Sequence, residues 1–271
     1  MTTDSRPQSV YAGHSKAIQR AAQDFGDHEG VTEGRVLRWL LNFSDADLEV
    51  GIKVLQRIRY YSTSNIWAMT QELVKIVRKE FADTPWNKVF FVPMGAPYSG
   101  AMTIARVLRD TRVVQKSNIK FMVDLEKMHP EKLGVLVFID DFSGTGKTLE
   151  DWWPMVEPIV LPKRVPFVLG LLVLNSKARS VVEKLVGRVY CVDELDETEN
   201  VLSSVSPHFS STEKDTLGRY CKATKASADY VHGFHKCGLL LAFKHGCPND
   251  SLPILWHASD SWEALFRRSG H

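Results

Sequence analysis

Two adjacent carboxylates follow an apolar run in the middle of the chain. The run covers residues 135–139, the acids are Asp140 and Asp141, and the next residues, 142–148, read FSGTGKT. Carboxylates can accept hydrogen bonds from hydroxyl groups, or reach a magnesium ion through water. In an open parallel sheet, ligands bind at the carboxyl ends of the strands. The acid pair is therefore the first candidate for chemistry in this sequence.

The residues after the acid pair are suited to binding a phosphate. Glycines let backbone N–H groups converge on an anion, and the N-terminus of a following helix adds its positive dipole end. Hydroxyl groups on this loop can donate further hydrogen bonds. The expected phosphate-binding residues are Ser143, Gly144, Thr145, Gly146, Lys147 and Thr148.

The letters GTGKT at 144–148 also suggest a P-loop that binds a nucleotide, for which the pattern is G-x-x-x-x-G-K-[ST]. That pattern requires a glycine at the position that Asp141 occupies. A carboxylate there would place negative charge where the loop should hold phosphates, and a P-loop would leave the acid pair unexplained. The P-loop interpretation is therefore disfavoured and is kept as an alternative.

A sugar phosphate accounts for both halves of the segment, because it needs hydroxyl acceptors at one end and anion donors at the other. The strand, the acid pair and the loop resemble the phosphoribosyl-pyrophosphate (PRPP) motif of the type I phosphoribosyltransferases (PRTases). The matching residues are Asp140, Asp141, Thr145, Gly146 and Thr148. The resemblance implies an α/β fold with a mostly parallel sheet, and an enzyme that transfers phosphoribosyl or cleaves a related glycosyl bond.

The resemblance also implies roles within the site. Asp140 and Asp141 would be catalytic, because they would hold the ribose hydroxyls and favour positive charge on the ring. Mg²⁺ would arrive with the pyrophosphate and not in a dedicated protein site. Gly144 stands where purine-salvage members of the family have an acid that can act as general base. A non-catalytic sensor of a nucleotide or sugar phosphate, or a partner-binding module, is therefore the alternative function.

A second loop is expected to contact the pyrophosphate. It follows the apolar run 89–92, and its candidate residues are Met94, Gly95 and Ala96. Glycine lets backbone amides approach an anion closely. The loop reads MGAPYSG over 94–100 and has no Lys or Arg, whereas family members often carry a basic residue or a second glycine there. An ordinary strand–turn–helix connection is the alternative.

The segment 244–256, KHGCPNDSLPILW, is dense in polar, proline and aromatic residues. It resembles a bacterial group of PRTase-like proteins with an N-terminal helical region, found in antiphage defence loci of the retron type, some of which also encode a reverse transcriptase. This resemblance implies a defence effector with a protein or nucleoprotein partner, a reverse transcriptase–msDNA complex. We also expect a homo-oligomer. The candidates for a hood over the sheet are Lys244, Asn249, Asp250 and Trp256; the alternative is a tail whose tryptophan packs into a core.

Histidines and cysteines cluster near the C-terminus at His232, His235, Cys237, His245 and Cys247. Zinc is often bound by these residue types. Their spacing does not match a known closed zinc site, so no dedicated metal site is expected.

The elements that must position these residues follow from the periodicity. Residues 1–84 show helical spacing, typical of a bundle or a winged-helix-like module. Beyond them, apolar runs alternate with helical patterns, which favours a parallel sheet covered on both faces. Strands are predicted at 89–92, 119–123, 135–139, 168–174 and 189–192, and helices at 101–108, 148–156 and 176–185.

The C-terminal part is predicted to begin with a loop containing a short helix over 196–215. A helix from Thr216, an apolar run at 238–243, a turn at 246–250 and a last helix near Trp262 follow. We therefore expect two domains, a helical region over 1–84 and a PRTase-like α/β domain with its hood over 85–271.

Composition excludes several classes of protein. The chain has 271 residues, of which 44% are hydrophobic, enough for a sizeable core. Its 34 Lys and Arg against 32 Asp and Glu give a net charge of +2, which offers no general basis for binding nucleic acid or membranes. The 4 cysteines lack framework spacing, and no signal-like or membrane-spanning stretch occurs. A cytoplasmic protein with reduced thiols is expected.

Overall fold

The computed structural model describes residues 5–95 and 99–268. The chain divides into two compact units: unit 1 is Met1–Thr63 with Glu197–His271, and unit 2 is Ser64–Asp196. These boundaries differ from the expected division at residue 84. The C-terminal segment groups with the N-terminal helices, and the helix before the first predicted strand groups with the parallel sheet.

Helices and strands alternate through most of the described chain. In chain order they are α1 (Arg6–Asp24), α2 (Glu33–Leu40), α3 (Leu48–Arg57), β1 (Arg59–Tyr61), α4 (Thr63–Glu80), β2 (Val89–Pro93), α5 (Gly100–Thr111), α6 (Met122–Lys127), β3 (Val135–Ser143), α7 (Lys147–Val160), β4 (Phe167–Asn175), α8 (Ser176–Val186), β5 (Val189–Leu195), α9 (Ser211–Ala223), β6 (Leu241–Phe243) and α10 (Pro253–Trp256). None of the helices in this described part is both long and apolar enough to cross a membrane.

Unit 2 is built on a parallel sheet of 4 strands in the order β2-β3-β4-β5. All five residues of β2 and the first six residues of β3 are buried. Continuous apolar strands of this kind are typical of a parallel sheet covered on both faces. The predicted α/β class and four of the five predicted strands are confirmed.

The two faces of the sheet pack against different helices. On one face Phe138 lies edge-to-face with Trp152 and Trp153 of α7, with ring centroids 5.4 and 6.4 Å apart. On the other face α4 approaches closely, because a Cβ added to Gly170 of β4 would lie 3.3 Å from Leu73. The apolar stripe of α4 is thus part of the core of unit 2, which explains why this helix groups with the sheet.

The predicted strand at 119–123 is wrong. Ile119 makes a single parallel bridge to Phe91, and α6 begins three residues later. The backbone N–H of Phe121 donates to the Asp124 carboxylate at 2.9 Å, which stabilises a helix start. Val123 is 62% exposed, so the run is not the buried strand that its composition suggested.

Unit 1 combines α1, α2, α3 and α9 with a short parallel pair, β1 and β6. Its core joins residues that are far apart in the chain. Trp39 of α2 is fully buried, and its Nε1–H donates to the carbonyl of Ile254 at 2.7 Å. The Trp262 indole donates to the same carbonyl at 3.1 Å.

Two helix predictions in unit 1 need correction. The helix predicted from Thr216 begins at Ser211, because Ser210 and Glu213 form a reciprocal capping box. The predicted helix near Trp262 is absent, since that segment forms an antiparallel bridge between Ser259 and Trp262. The buried Trp262 ring packs into the core of unit 1 from this bridge.

Candidate functional site

The acid pair lies at the carboxyl end of β3, one of the two inner strands of the sheet, which continues past the predicted end at residue 139 to Ser143. Asp140 is only 6% exposed, and Asp141 is half-buried. The N–H of Asp141 donates to Asp140 Oδ1, and the N–H of Phe142 donates to Asp141 Oδ1, both at 2.9 Å. The strand end therefore holds both carboxylates in fixed positions.

Burial and charge together raise the pKa of Asp140 well above its usual range. The largest cause is burial, and the negative charge of Asp141 adds to it. Backbone N–H groups of Asp141 and Ala101 act in the opposite direction, because they stabilise the charged carboxylate. Two carboxylates this close titrate as a pair, so the site holds a proton more tightly than a single exposed acid does.

The N-terminus of α5 packs against this pair. A Cβ added to Gly100, the first residue of α5, would lie 2.0 Å from the carboxyl carbon of Asp141 and 2.1 Å from both of its oxygens. The carboxylate thus occupies the space of the missing side chain, beside the positive end of the helix dipole. From the sequence, Gly95 and Gly100 are expected to let backbone amides approach an anion, but the contact of Gly100 with Asp141 is not predicted. The available signal was a glycine at the start of the helix that follows the neighbouring strand.

The second predicted loop begins beside the acid-bearing strand. Met94 is buried, and its N–H donates to the carbonyl of Ile139 in β3 at 3.1 Å. Gly95 has a φ of +78°, a conformation that favours glycine. The Ser99 hydroxyl closes the loop by donating to the Met94 carbonyl at 2.9 Å. Ala96 lies outside the described residues.

The glycine loop leads from β3 directly into α7. Gly146 caps the helix with a φ of +83°, and a Cβ there would lie 2.8 Å from Val181 of α8, so only glycine fits. The N–H of Lys147 donates to the Thr145 hydroxyl at 3.3 Å. Thr145 is half-buried and Thr148 is exposed in the first turn. Backbone N–H groups at such a helix start form an anion site.

Lys147 faces solvent on the first turn of α7. Its ammonium pairs with the Asp151 carboxylate one turn later, and that hydrogen bond raises the pKa of Lys147. The backbone and hydroxyl groups of the loop are therefore better candidates for binding an anion than this lysine.

The four hood candidates belong to unit 1. Lys244 is exposed and Asn249 is partly buried. Asp250 is 7% exposed, and burial raises its pKa to about 6. Trp256 is buried in the core of unit 1 and donates from Nε1 to the Ser251 carbonyl at 2.9 Å. This packing matches the alternative of a structured tail, and the hood itself stays a prediction.

The histidines and cysteines of unit 1 do not form a metal site in the described part of the chain, where no three metal-ligating side chains come together. Cys237 and Cys247 are fully buried. The Cys247 thiol donates to the Leu241 carbonyl at 3.1 Å, and burial raises its pKa. These thiols contribute to packing.

Unit 2 thus brings two kinds of group to one strand end. Asp140 and Asp141 can accept hydrogen bonds from hydroxyl groups, and the start of α7 can donate hydrogen bonds to an anion. The acids lie on the last residues of β3, and the donors follow immediately along the chain. A ligand with a diol at one end and a phosphate at the other would satisfy both.

Comparisons with known proteins identify a family for this chain. No curated protein matches the chain. A Helicobacter pylori xanthine-guanine-hypoxanthine phosphoribosyltransferase is among the solved structures that match, at 15% identity over 51% of this chain and 83% of that chain, with a TM-score of 0.34. The family model PRTase-CE matches residues 36–268, a range that includes the acid pair and the glycine loop. The chain therefore belongs to the PRTase-CE family.

Proposed function

We propose that this protein binds PRPP, or a closely related ribose phosphate, at the carboxyl end of β3. The observation that carries the proposal is the buried acid pair joined directly to a glycine loop at a helix N-terminus. Asp140 and Asp141 accept hydrogen bonds from the vicinal hydroxyls of the ribose. The N–H groups and hydroxyls over 143–148 donate to the 5′-phosphate. Membership of the PRTase-CE family supports the same class of ligand.

The proposed reaction is phosphoribosyl transfer or cleavage of a related glycosyl bond. A nucleophile attacks the anomeric carbon of PRPP, the bond from that carbon to the pyrophosphate oxygen breaks, and pyrophosphate leaves with the electron pair. Positive charge develops on the ribose ring, where the carboxylates of Asp140 and Asp141 favour it. Binding of the remote 5′-phosphate by the loop orients the ring for attack.

The donor set fits magnesium that is delivered with its ligand. Mg²⁺ is usually bound by one or two carboxylates together with phosphate oxygens and waters. Asp140 and Asp141 supply two carboxylates, and the described residues hold no group of three metal-ligating side chains. These two acids would hold the ion directly or through water. When bound, the ion would neutralise charge on the leaving pyrophosphate.

A non-catalytic sensor is the second candidate, and Gly144 is the observation that favours it. Gly144 is buried and has no side chain, so the loop offers no acid at the position where a general base would stand. A protein with this site could bind PRPP and report its concentration without transferring it.

Titration calorimetry with PRPP and Mg²⁺, followed by an assay of pyrophosphate release, tests both candidates. Binding with release supports the transferase, binding without release supports the sensor, and no binding contradicts both. Thr145→Val removes a loop hydroxyl, and we expect PRPP affinity to fall about tenfold. The matched control is Thr212→Val, an exposed threonine of unit 1, which should leave the affinity unchanged.

A role in antiphage defence, a reverse transcriptase–msDNA partner and a homo-oligomer are further proposals. The first two depend on the resemblance of the C-terminal segment to defence-associated PRTase-like proteins, and the homo-oligomer is a separate expectation. Co-purification with a reverse transcriptase from the same locus would test the partner, and light scattering would test the oligomer.

A further inference from the structure

Unit 1 contains a polar cavity of about 600 Å³ along one side of α9. Lys214, Arg219 and Lys222 line it from the helix, and His232 and Lys236 line it from a later loop. Small-molecule sites usually have volumes of roughly 300–1,000 Å³. The cavity therefore has the size of a ligand site and an unusual concentration of positive charge.

The face of α9 that lines the cavity leaves space between its cations. Lys214, Gly218 and Lys222 recur at successive turns, and the opposite face is buried. A Cβ added to Gly218 would meet nothing within 4 Å. Glycine inside a helix is less favourable than alanine. The helix thus carries an unfavourable residue where a larger one would fit. As a result, the cavity stays open between Lys214 and Lys222.

The positive charge of the helix side is only partly balanced. Lys214 donates to the Ser206 carbonyl at 2.8 Å, which leaves two of its N–H donors for a ligand. Within the described ranges, the Nζ of Lys222 has no hydrogen bond or ion pair. Arg219 lies 3.5 Å from the Asp47 carboxylate. One acid, Asp215, is found among the described residues that line the cavity.

The loop that carries His232 and Lys236 is held in place by hydrogen bonds to its backbone carbonyls. The N–H of Gly238 donates to the His232 carbonyl at 3.0 Å, and Asn200 donates to the Lys236 carbonyl at 3.1 Å. Gly233 packs so tightly that a Cβ there would lie 2.2 Å from the Asp250 carbonyl oxygen. This packing fixes the positions of His232 and Lys236 beside the cavity.

Backbone strain is concentrated in the same loop. His235 and Lys236 have φ values of +48° and +57°, the left-handed region that L-residues with side chains rarely adopt. Residues held in this region are strained, and they are often found at binding sites. The pKa of His232 is lowered by burial and then by the positive charges of Lys222 and Lys236. Both cations therefore lie close enough to His232 to interact with it.

We propose that this cavity is a second anion site, which binds a small ligand carrying several phosphates, such as a nucleoside polyphosphate. Lys214 and Lys222 are separated by about 12 Å along the helix axis, and Lys236 lines the cavity from a later loop, so several phosphates pair with these cations better than one does. The described lining residues include no Trp, Tyr or Phe, the side chains on which single-stranded nucleic acids usually stack. A compact polyphosphate therefore fits better than a nucleic acid strand, and the proposal does not depend on PRPP binding by unit 2.

Titration calorimetry of the full chain with inorganic triphosphate and with ATP tests this site. We expect both probes to bind, and the double variant Lys222→Ala/Lys236→Ala to weaken binding at least about tenfold. Lys16→Ala/Lys79→Ala removes the same two positive charges from exposed positions on α1 and α4 and should bind like the wild type. Equal affinity for triphosphate and ATP would show that the cavity recognises the phosphates alone. Tighter binding of ATP would show that the cavity also contacts the nucleoside.

Gly218→Leu fills the cavity without removing a charge. Leucine favours a helix more than glycine does, so the melting temperature should stay the same or rise while binding is lost. Repeating the titration in a Thr145→Val background separates this site from the loop of unit 2, because the cavity should still bind the probes. Absence of binding to the wild type, wild-type affinity in both cavity variants, or binding of only a short single-stranded oligonucleotide would overturn the proposal.

Discussion

Unit 2 places the polar groups of its candidate site within one stretch of chain, whereas unit 1 uses a buried polar side chain, His28, to join distant stretches. In unit 2, Asp140 and Asp141 precede the glycine loop directly. In unit 1, His28 contacts the Phe243 carbonyl and the Arg267 N–H, each at 3.1 Å and at separations of 215 and 239 residues. The two arrangements have different consequences for function.

Both ring nitrogens of His28 in unit 1 have hydrogen-bond partners. Since the Arg267 N–H donates to His28 Nε2, the proton of the neutral ring is on Nδ1 and is donated to the Phe243 carbonyl. Burial lowers the pKa of His28, which favours this neutral form. Such a closed network stabilises a fold. The acid pair of unit 2 instead lies at a strand end, where carboxylate oxygens and helix N–H groups can bind a ligand.

The largest effect that separates the two units is expected from Trp39→Ala. Trp39 is fully buried in unit 1, so its loss should lower the free energy of unfolding by about 3–5 kcal/mol. Under folding conditions, PRPP affinity should stay the same. Urea denaturation and PRPP titration measure the two quantities. The control is Trp67→Ala in α4, where the ring is 43% exposed and the cost should be under about 1 kcal/mol.

A pH-dependent effect is expected from Asp250→Asn in unit 1. The pKa of Asp250 is raised to about 6 in the folded state, above its value in the unfolded chain. Its contribution to stability is therefore present at low pH and is lost as pH rises through 6. The wild type should lose about 2–3 kcal/mol from this group between pH 4 and pH 7, and the variant should not.

Melting curves across this pH range measure the Asp250 effect. Asp260→Asn removes an exposed acid from the same unit and is the control, because it should follow the wild-type profile. If the melting temperature of Asp250→Asn changes with pH in the same way as that of the wild type, the buried carboxylate is not the source of the pH dependence.

The smallest effect is expected from Lys147→Ala in unit 2. Lys147 is exposed and pairs with Asp151, and such surface ion pairs contribute little to stability. If backbone N–H groups bind the phosphate, PRPP affinity should change less than about threefold. A tenfold loss in calorimetry would show that the lysine contacts the ligand and would change the account of the loop.

The same contrast explains how much could be predicted from the sequence. The α/β class and the strands β2 to β5 follow from continuous apolar runs, and the acid pair and loop are adjacent in the chain. The contact of Gly100 with Asp141 depends on how α5 packs beside β3, which no local pattern records. The pairing of β1 with β6 is equally hidden, because each strand has only 3 residues and the partners are distant. At 119–123, the apolar run predicts a strand, but the hydrogen bond between the Phe121 N–H and Asp124 stabilises the start of a helix instead.

The central claim is that the carboxylate of Asp141 and the loop after it bind PRPP, and Gly100→Ala tests it most directly. The added methyl must displace that carboxylate but changes no charge and suits a helix. For Gly100→Ala we predict at least about tenfold weaker PRPP binding in calorimetry with Mg²⁺, and an unchanged melting temperature. The control is Gly13→Ala, where a Cβ meets nothing within 4 Å, and it should bind PRPP with wild-type affinity. Wild-type affinity in folded Gly100→Ala would contradict the account.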